Sequence, residues 1–262
     1  MNKLMINTLS LALLLTLTAS SAMAEGWGTL KGRFVYDGKP PQLDKLIAPG
    51  LKINDPDVCK VTDQKDVSLQ VNPANKGIGN VFVYLYSRRS PKIHESLEKP
   101  ATPSVQLDNV ACMFVPHAVF VRTDQKLNVI NSDACGHNVH TFPLRNAGLN
   151  QMLQPNDKTG LMAAVPEKEI LPIQIKCDIH PWMSAYALIL DHPYAAVTDE
   201  NGNFEIKMIP EGDHLFAVWQ EKAGYIRKPS KRADNKLEVE ITDGNTVDLG
   251  DILVDPALFA DN

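Results

Sequence analysis

Two short segments concentrate the residues able to hold a metal. One is Cys135-Gly136-His137-Asn138-Val139-His140, and the other is Cys177-Asp178-Ile179-His180-Pro181-Trp182-Met183. Together they offer imidazoles, a thiolate and a thioether. Two His, one Cys and a weak, distant Met make the trigonal donor set that suits copper. The thiolate binds Cu(I) tightly and mixes covalently with Cu(II). Imidazole accepts both oxidation states, and a distant thioether perturbs the potential without imposing a square plane. Such a site changes shape little when an electron comes or goes. Cys and His also suit zinc, and a disulfide at Cys177 with solvated histidines is the structural alternative.

These donors need rigid elements to hold them. The run Pro172-Ile173-Gln174-Ile175 before Cys177 and the run from Ala185 to Leu190 after Met183 read as strands. Cys177, His180 and Met183 then lie on the connecting loop at one end of a β-sandwich, where loops present functional groups. Pro181 stiffens that loop. His137 and His140 are three apart in an extended segment and point to opposite faces, so one of them reaches the metal. Trp182 sits inside the ligand loop, beside the route by which an electron would arrive.

The rest of the chain carries strand patterns too. Gly28 to Tyr36 alternates and is followed by Asp37-Gly38, a hairpin-turn signal. Asn80 to Tyr86 is a second strand. Residues 87–104 are charged and proline-punctuated, as in a surface loop. Short β-type runs follow at His117 to Arg122, Leu127 to Ile130 and Ile170 to Ile175. The last block has turns at residues 200–203 and 210–213 between further strands. Short strands at this spacing predict an all-β fold of small sandwiches.

The composition fits that reading. The 262 residues are 44% apolar and 22% charged, an ordinary globular balance. The net charge is −5 with no basic block, so no nucleic-acid or anionic-membrane partner is expected. The chain holds no paired-carboxylate, Ser-His-Asp or phosphate-binding constellation. Asp133, Asp178 and Asp191 read as loop carboxylates. His117 reads as a surface histidine, and His94, His192 and His214 as structural ones.

Residues 1–24 have a positive n-region at Lys3, a short apolar core and an Ala22-Met23-Ala24 cleavage pattern. This reads as a secretory signal peptide, with no later stretch long enough to span a membrane. In a Gram-negative source the product is periplasmic, where disulfides persist. With Cys177 a ligand, three cysteines are left. The expected pair is Cys59 with Cys112, and Cys112 with Cys135 is the runner-up. Cys135 is then a free thiol, an intermolecular link or an extra sulfur at the metal, and a small buried thiol is its plainest role.

The elements H-N-V-H at 137–140 and C-x-x-H-P-x-M at 177–183 resemble the cupredoxins, above all the amicyanin-like and plastocyanin-like ones. The resemblance covers about residues 105–191. It implies a Greek-key β-sandwich with one type 1 copper held by His137, Cys177, His180 and Met183. It also implies that Asn138 braces the ligand loop; His140, by its place beside the site, reads as a residue that exposes an edge to a partner. The flanking blocks, 25–100 and 192–256, resemble a transthyretin-like, carboxypeptidase-regulatory type of sandwich, most recognisably at residues 197–212. The arrangement is similar to secreted bacterial proteins of the methylamine-utilisation type. Cys135 departs from the cupredoxin pattern. The implied function is exported electron transport, with a redox partner such as a c-type cytochrome or a dehydrogenase. The alternatives are copper storage and a metal-stabilised binding or adhesion module.

Overall fold

The computed structural model describes residues 26–60, 63–226 and 236–260. The sequence-derived signal segment, 1–24, lies outside the described residues. The chain is nearly all β, folded as two sandwiches that share a border.

The first sandwich is built from both flanks of the chain. In one of its sheets, strand Trp27–Tyr36 pairs antiparallel with Asn203–Pro210 and parallel with Thr246–Val254. The other sheet places Phe82–Leu85 between Ala195–Val197 and Gly212–Gln220, which also pairs with Lys236–Ile241. Alternation explains the packing: Leu30, Phe34, Ile206 and Ile252 point inward to meet Val83, Leu85, Phe216 and Val218.

One turn expectation is corrected here. Asp37-Gly38 closes no hairpin, because Trp27–Tyr36 takes both partners from the far end of the chain. The Asp37 N–H instead donates to the carbonyl of Val254. The expected turn at 210–213 does lie between two strands, Asn203–Pro210 and Gly212–Gln220, which belong to different sheets. Long-range pairing overrides the local turn chemistry at Asp37-Gly38.

The second sandwich carries the candidate site. One sheet runs in the order Ala118–Arg122, Ser184–Leu190, Ile173–Lys176, His137–Phe142, Asn150–Leu153. The facing sheet runs Met113–Val115, Ser104–Val110, Lys126–Asn131, Leu161–Ala164. Leu107, Phe114, Val121, Leu127, Val129, Val139 and Ile175 fill the space between them. A smaller cluster of Phe82, Tyr84, Ala118, Leu188 and Ala217 joins the two sandwiches.

The N-terminal connection matters for the site. Residues 41–60 leave the first sandwich and lie against the second, with Ile47, Ile53 and Val58 packed on its core. The short helix Pro56–Cys59 ends at a disulfide from Cys59 to Cys112.

Candidate metal centre

The donors converge because of two strand registers. Strand Ile173–Lys176 buries Ile173 and Ile175, so Cys177 continues the inward parity. It pairs antiparallel with His137–Phe142, with Ile175 opposite Thr141 and Lys176 opposite His140. On that neighbour His137, Val139 and Thr141 point inward. Cys177 and His137 therefore arrive at the same end of the core. The chain then loops from Cys177 to Met183 and returns in register, Lys176 opposite Ser184. The Met183 N–H donates to the His180 carbonyl and the Cys177 N–H to the Met183 carbonyl, which tightens the loop. His180 turns inward from it.

The geometry is that of a three-donor cup. Cys177 Sγ is 3.9 Å from His137 Nδ1 and 3.8 Å from His180 Nδ1. The two Nδ1 atoms are 3.0 Å apart. An ion about 2.0 Å from each nitrogen and about 2.3 Å from sulfur, in trigonal geometry, sets nitrogen and sulfur roughly 3.7 Å apart, close to what is found, and the two nitrogens roughly 3.5 Å apart, about half an ångström more than is found. His137 and His180 are 0% exposed and Cys177 is 1% exposed. Met183 is fully buried in the same core cluster as Cys177.

The far nitrogen of each ring is engaged by a carboxylate. His137 Nε2–H donates to Asp133 Oδ2 at 2.9 Å, and His180 Nε2–H donates to Asp55 Oδ2 at 3.2 Å. These bonds fix the tautomers, so both Nδ1 lone pairs face inward. Two lone pairs at 3.0 Å beside a sulfur, shut away from water, need a positive charge between them. The same demand shows in the acid–base balance. Burial opposes charge on His137, yet Asp133 and Cys177 beside it push its imidazole up to about 9. Burial alone would push the Cys177 thiol up, but hydrogen bonds from His137 and His180 pull it down to about 6. The residues thus fit a soft or borderline cation bound by a thiolate and two neutral imidazoles.

Asp133 is itself built in. Its carboxylate accepts the N–H of Ala111 at 2.6 Å and of Cys112 at 2.8 Å. Ala111 and Cys112 both have positive φ, 50° and 55°, which aims these two N–H groups at one carboxylate. Burial would raise the Asp133 carboxyl; the His137 and backbone N–H groups outweigh it and hold it below the usual range.

The remaining sequence-derived residues fall around this cup. Asn138 accepts the Asp178 N–H at 2.7 Å and donates to Asp178 Oδ2 and Asn150 Oδ1, each at 2.8 Å, tying the ligand loop to the neighbouring strands. His140 points to the opposite face, half-buried, with Nδ1 3.1 Å from the Asp178 carboxylate. Trp182 packs on His180 with ring centroids 5.3 Å apart and donates its Nε1–H to the Cys112 carbonyl. Cys135 is a free buried thiol, 3.5 Å from His137 Nε2 and 3.9 Å from Cys112 Sγ. Burial, then Asp55 and Asp133, push it up to about 11, so it stays a neutral thiol. Cys59 and Cys112 are joined. His117 is not the surface residue expected: it is largely buried and pairs with Glu221. Reasoning from sequence missed Asp55 altogether and gave Asp133 no role at the site. The i, i+4 spacing of Asp133 and His137 was the one available sign of the latter.

No family model and no curated protein matches the sequence. Solved structures do. Its structural neighbours are cupredoxins, over about a third of the chain. A purple cupredoxin from Nitrosopumilus maritimus is 16% identical, covering 32% of this chain and 97% of its own, with a TM-score of 0.27. An amicyanin mutant in its Cu(I) form is 19% identical over 33% of this chain and 82% of its own, at 0.30. A copper-containing nitrite reductase from Thermus scotoductus is 14% identical over 38% of this chain and 25% of its own, also at 0.30. The neighbours therefore include an enzyme by name.

Proposed function

We propose that this protein holds one copper ion at His137, Cys177 and His180, with Met183 as a weak axial donor, and carries single electrons between exported redox partners. One observation carries the reading: two inward Nδ1 atoms and a thiolate-forming sulfur meet within 3.9 Å in a pocket closed to water. Bound there, copper supplies the exchange of one electron between Cu(II) and Cu(I).

The chain's own residues do the rest. Asp133 and Asp55 hold the rings in one tautomer, Asn138 holds the loop, and the surrounding apolar core excludes water. Because the histidines are wholly buried, no open position faces solvent for a substrate, which favours a carrier over an enzyme. A groove of about 680 Å³ lies over the ligand loop, lined by Leu46, Leu51, Ile53, Pro181 and Trp182 among others. A partner such as a c-type cytochrome or a dehydrogenase would dock there, against the loop that carries His180. Among the described residues no helix is long and apolar enough to cross a membrane. The reading includes export to the periplasm on the strength of residues 1–24, and a transthyretin-like scaffold in the flanking sandwich.

The test is the visible spectrum of the Cu(II)-loaded protein. A strong thiolate-to-copper charge-transfer band supports the proposal, and its absence rejects it.

A further inference from the structure

We infer that Asp55 lowers the redox potential of this centre, acting through His180 from outside the copper-binding sandwich. The inference rests on the copper reading above. Its starting point is the Asp55 carboxylate, 3.2 Å from His180 Nε2.

Nothing local to the ligand loop supplies this contact. Asp55 lies 125 residues before His180 and caps the short helix Pro56–Cys59 with φ of 49°, a left-handed conformation uncommon for a residue with a side chain. Four contacts keep it in place. The N–H groups of Val58 and Cys59 donate to the Asp55 carbonyl, Asn54 Nδ2 donates to the Ile179 carbonyl, and the Cys59–Cys112 disulfide anchors the helix end to the sandwich. The carboxylate is thus delivered to the remote nitrogen of the imidazole that the ligand loop presents.

The chemistry of that contact has a direction. A carboxylate accepting the remote N–H makes the imidazole a stronger donor. It also places a negative charge beside a ring that is wholly buried. Both effects favour the more highly charged ion. In the one-electron couple Cu(II) + e⁻ ⇌ Cu(I), with no proton taken up, they lower the midpoint potential. Asp133 already does this for His137. Asp55 does it for the second ring, so both imidazoles carry a carboxylate and the centre is poised toward its oxidised form. Only Asp55 is also open to solvent, with 42% of its side chain exposed. It is the part of this network that a docking partner can touch.

Full-length Asp55→Asn tests this, with Asp57→Asn as a control. Asp57 is an exposed neighbour on the same helix, and the same charge is removed there without breaking the contact. Two readouts are used. In the metal-free protein, ¹⁵N NMR of labelled histidine is expected to show a hydrogen-bonded His180 Nε2–H that Asp55→Asn weakens and Asp57→Asn leaves alone. In the copper-loaded protein, Asp55→Asn is expected to raise the midpoint potential clearly more than Asp57→Asn while the charge-transfer band persists. Equal potential shifts in the two variants, or an unchanged His180 signal in Asp55→Asn, overturn the inference with the copper reading intact. A wild-type protein with no charge-transfer band overturns the copper reading and this inference with it, whatever the NMR shows.

Discussion

Asp133 and His137 are four residues apart, and the Asp133 carboxylate accepts both the His137 Nε2–H and the N–H of Cys112, the residue that carries one end of the disulfide. A single buried carboxylate therefore links the His137 imidazole to the covalent clamp of the N-terminal segment. The donor cup is not a loop feature alone; it is held from two sides by parts of the chain far apart in sequence.

The first consequence concerns Asp133 itself. Asp133→Asn keeps the size of the side chain but turns one acceptor oxygen into an NH₂ that cannot receive the His137 N–H. Losing such an outer carboxylate typically weakens metal binding about 10- to 100-fold. Competition with a chelator of known copper affinity checks this. Unchanged affinity would mean that His137 does not depend on its carboxylate.

The disulfide closes a loop with a sequence separation of 53. The chain-entropy account of such a cross-link gives about 4 kcal/mol of stabilisation for a loop of this size. Replacing Cys59 and Cys112 together by Ser is expected to lower the unfolding free energy by about 2–4 kcal/mol in urea titrations. The Asp55 contact should loosen with it, because Cys59 ends the helix that Asp55 begins. A loss below about 0.5 kcal/mol, within what an ordinary surface substitution causes, would show that the clamp is redundant.

His192 predicts a pH dependence away from the metal. Burial lowers its imidazole to about 4; Asp191 nearby opposes this, while Lys168 and Arg122 add to it. Its Nδ1 accepts the Tyr194 N–H at 3.3 Å, which the neutral ring can do. The unfolded chain, with an ordinary imidazole near 6.5, binds more protons than the folded one between about pH 4 and 6.5. Stability therefore rises with pH across that window, is fully present above it, and is lost as pH falls. The effect is on the order of 3 kcal/mol at most. His192→Gln should flatten this segment of the stability–pH curve. An identical slope in variant and wild type would assign the dependence to other groups.

The meeting of His137, Cys177 and His180 at one place was legible in the sequence, and the reason is local. Cys177, His180 and Met183 sit on one loop between two strand-forming runs, of which Ile173–Lys176 alternates and Ser184–Leu190 is largely apolar, and His137 lies on a further strand. Residue type and alternation suffice to bring such groups to one end of a sandwich. What was hidden depends on chain reversals that no short pattern records. Asp55 reaches His180 across 125 residues, and Asp133 is anchored by a turn at Ala111 and Cys112 whose positive φ has no glycine to announce it. That the two flanks of the chain form one sandwich was expected from their resemblance, but the strand pairing inside it was not legible. Trp27–Tyr36 finds both its partners beyond residue 202, so its Asp37-Gly38 signal misled.

The central claim is that Cys177 is a thiolate ligand to copper alongside His137 and His180. Visible absorption and EPR spectra of the Cu(II)-loaded protein, taken beside those of Cys177→Ser, test it most directly. The account predicts an intense charge-transfer band and a narrow copper hyperfine splitting in the wild type, both lost in the variant. A colourless wild type with ordinary tetragonal Cu(II) signals, or a band that survives in Cys177→Ser, would contradict it.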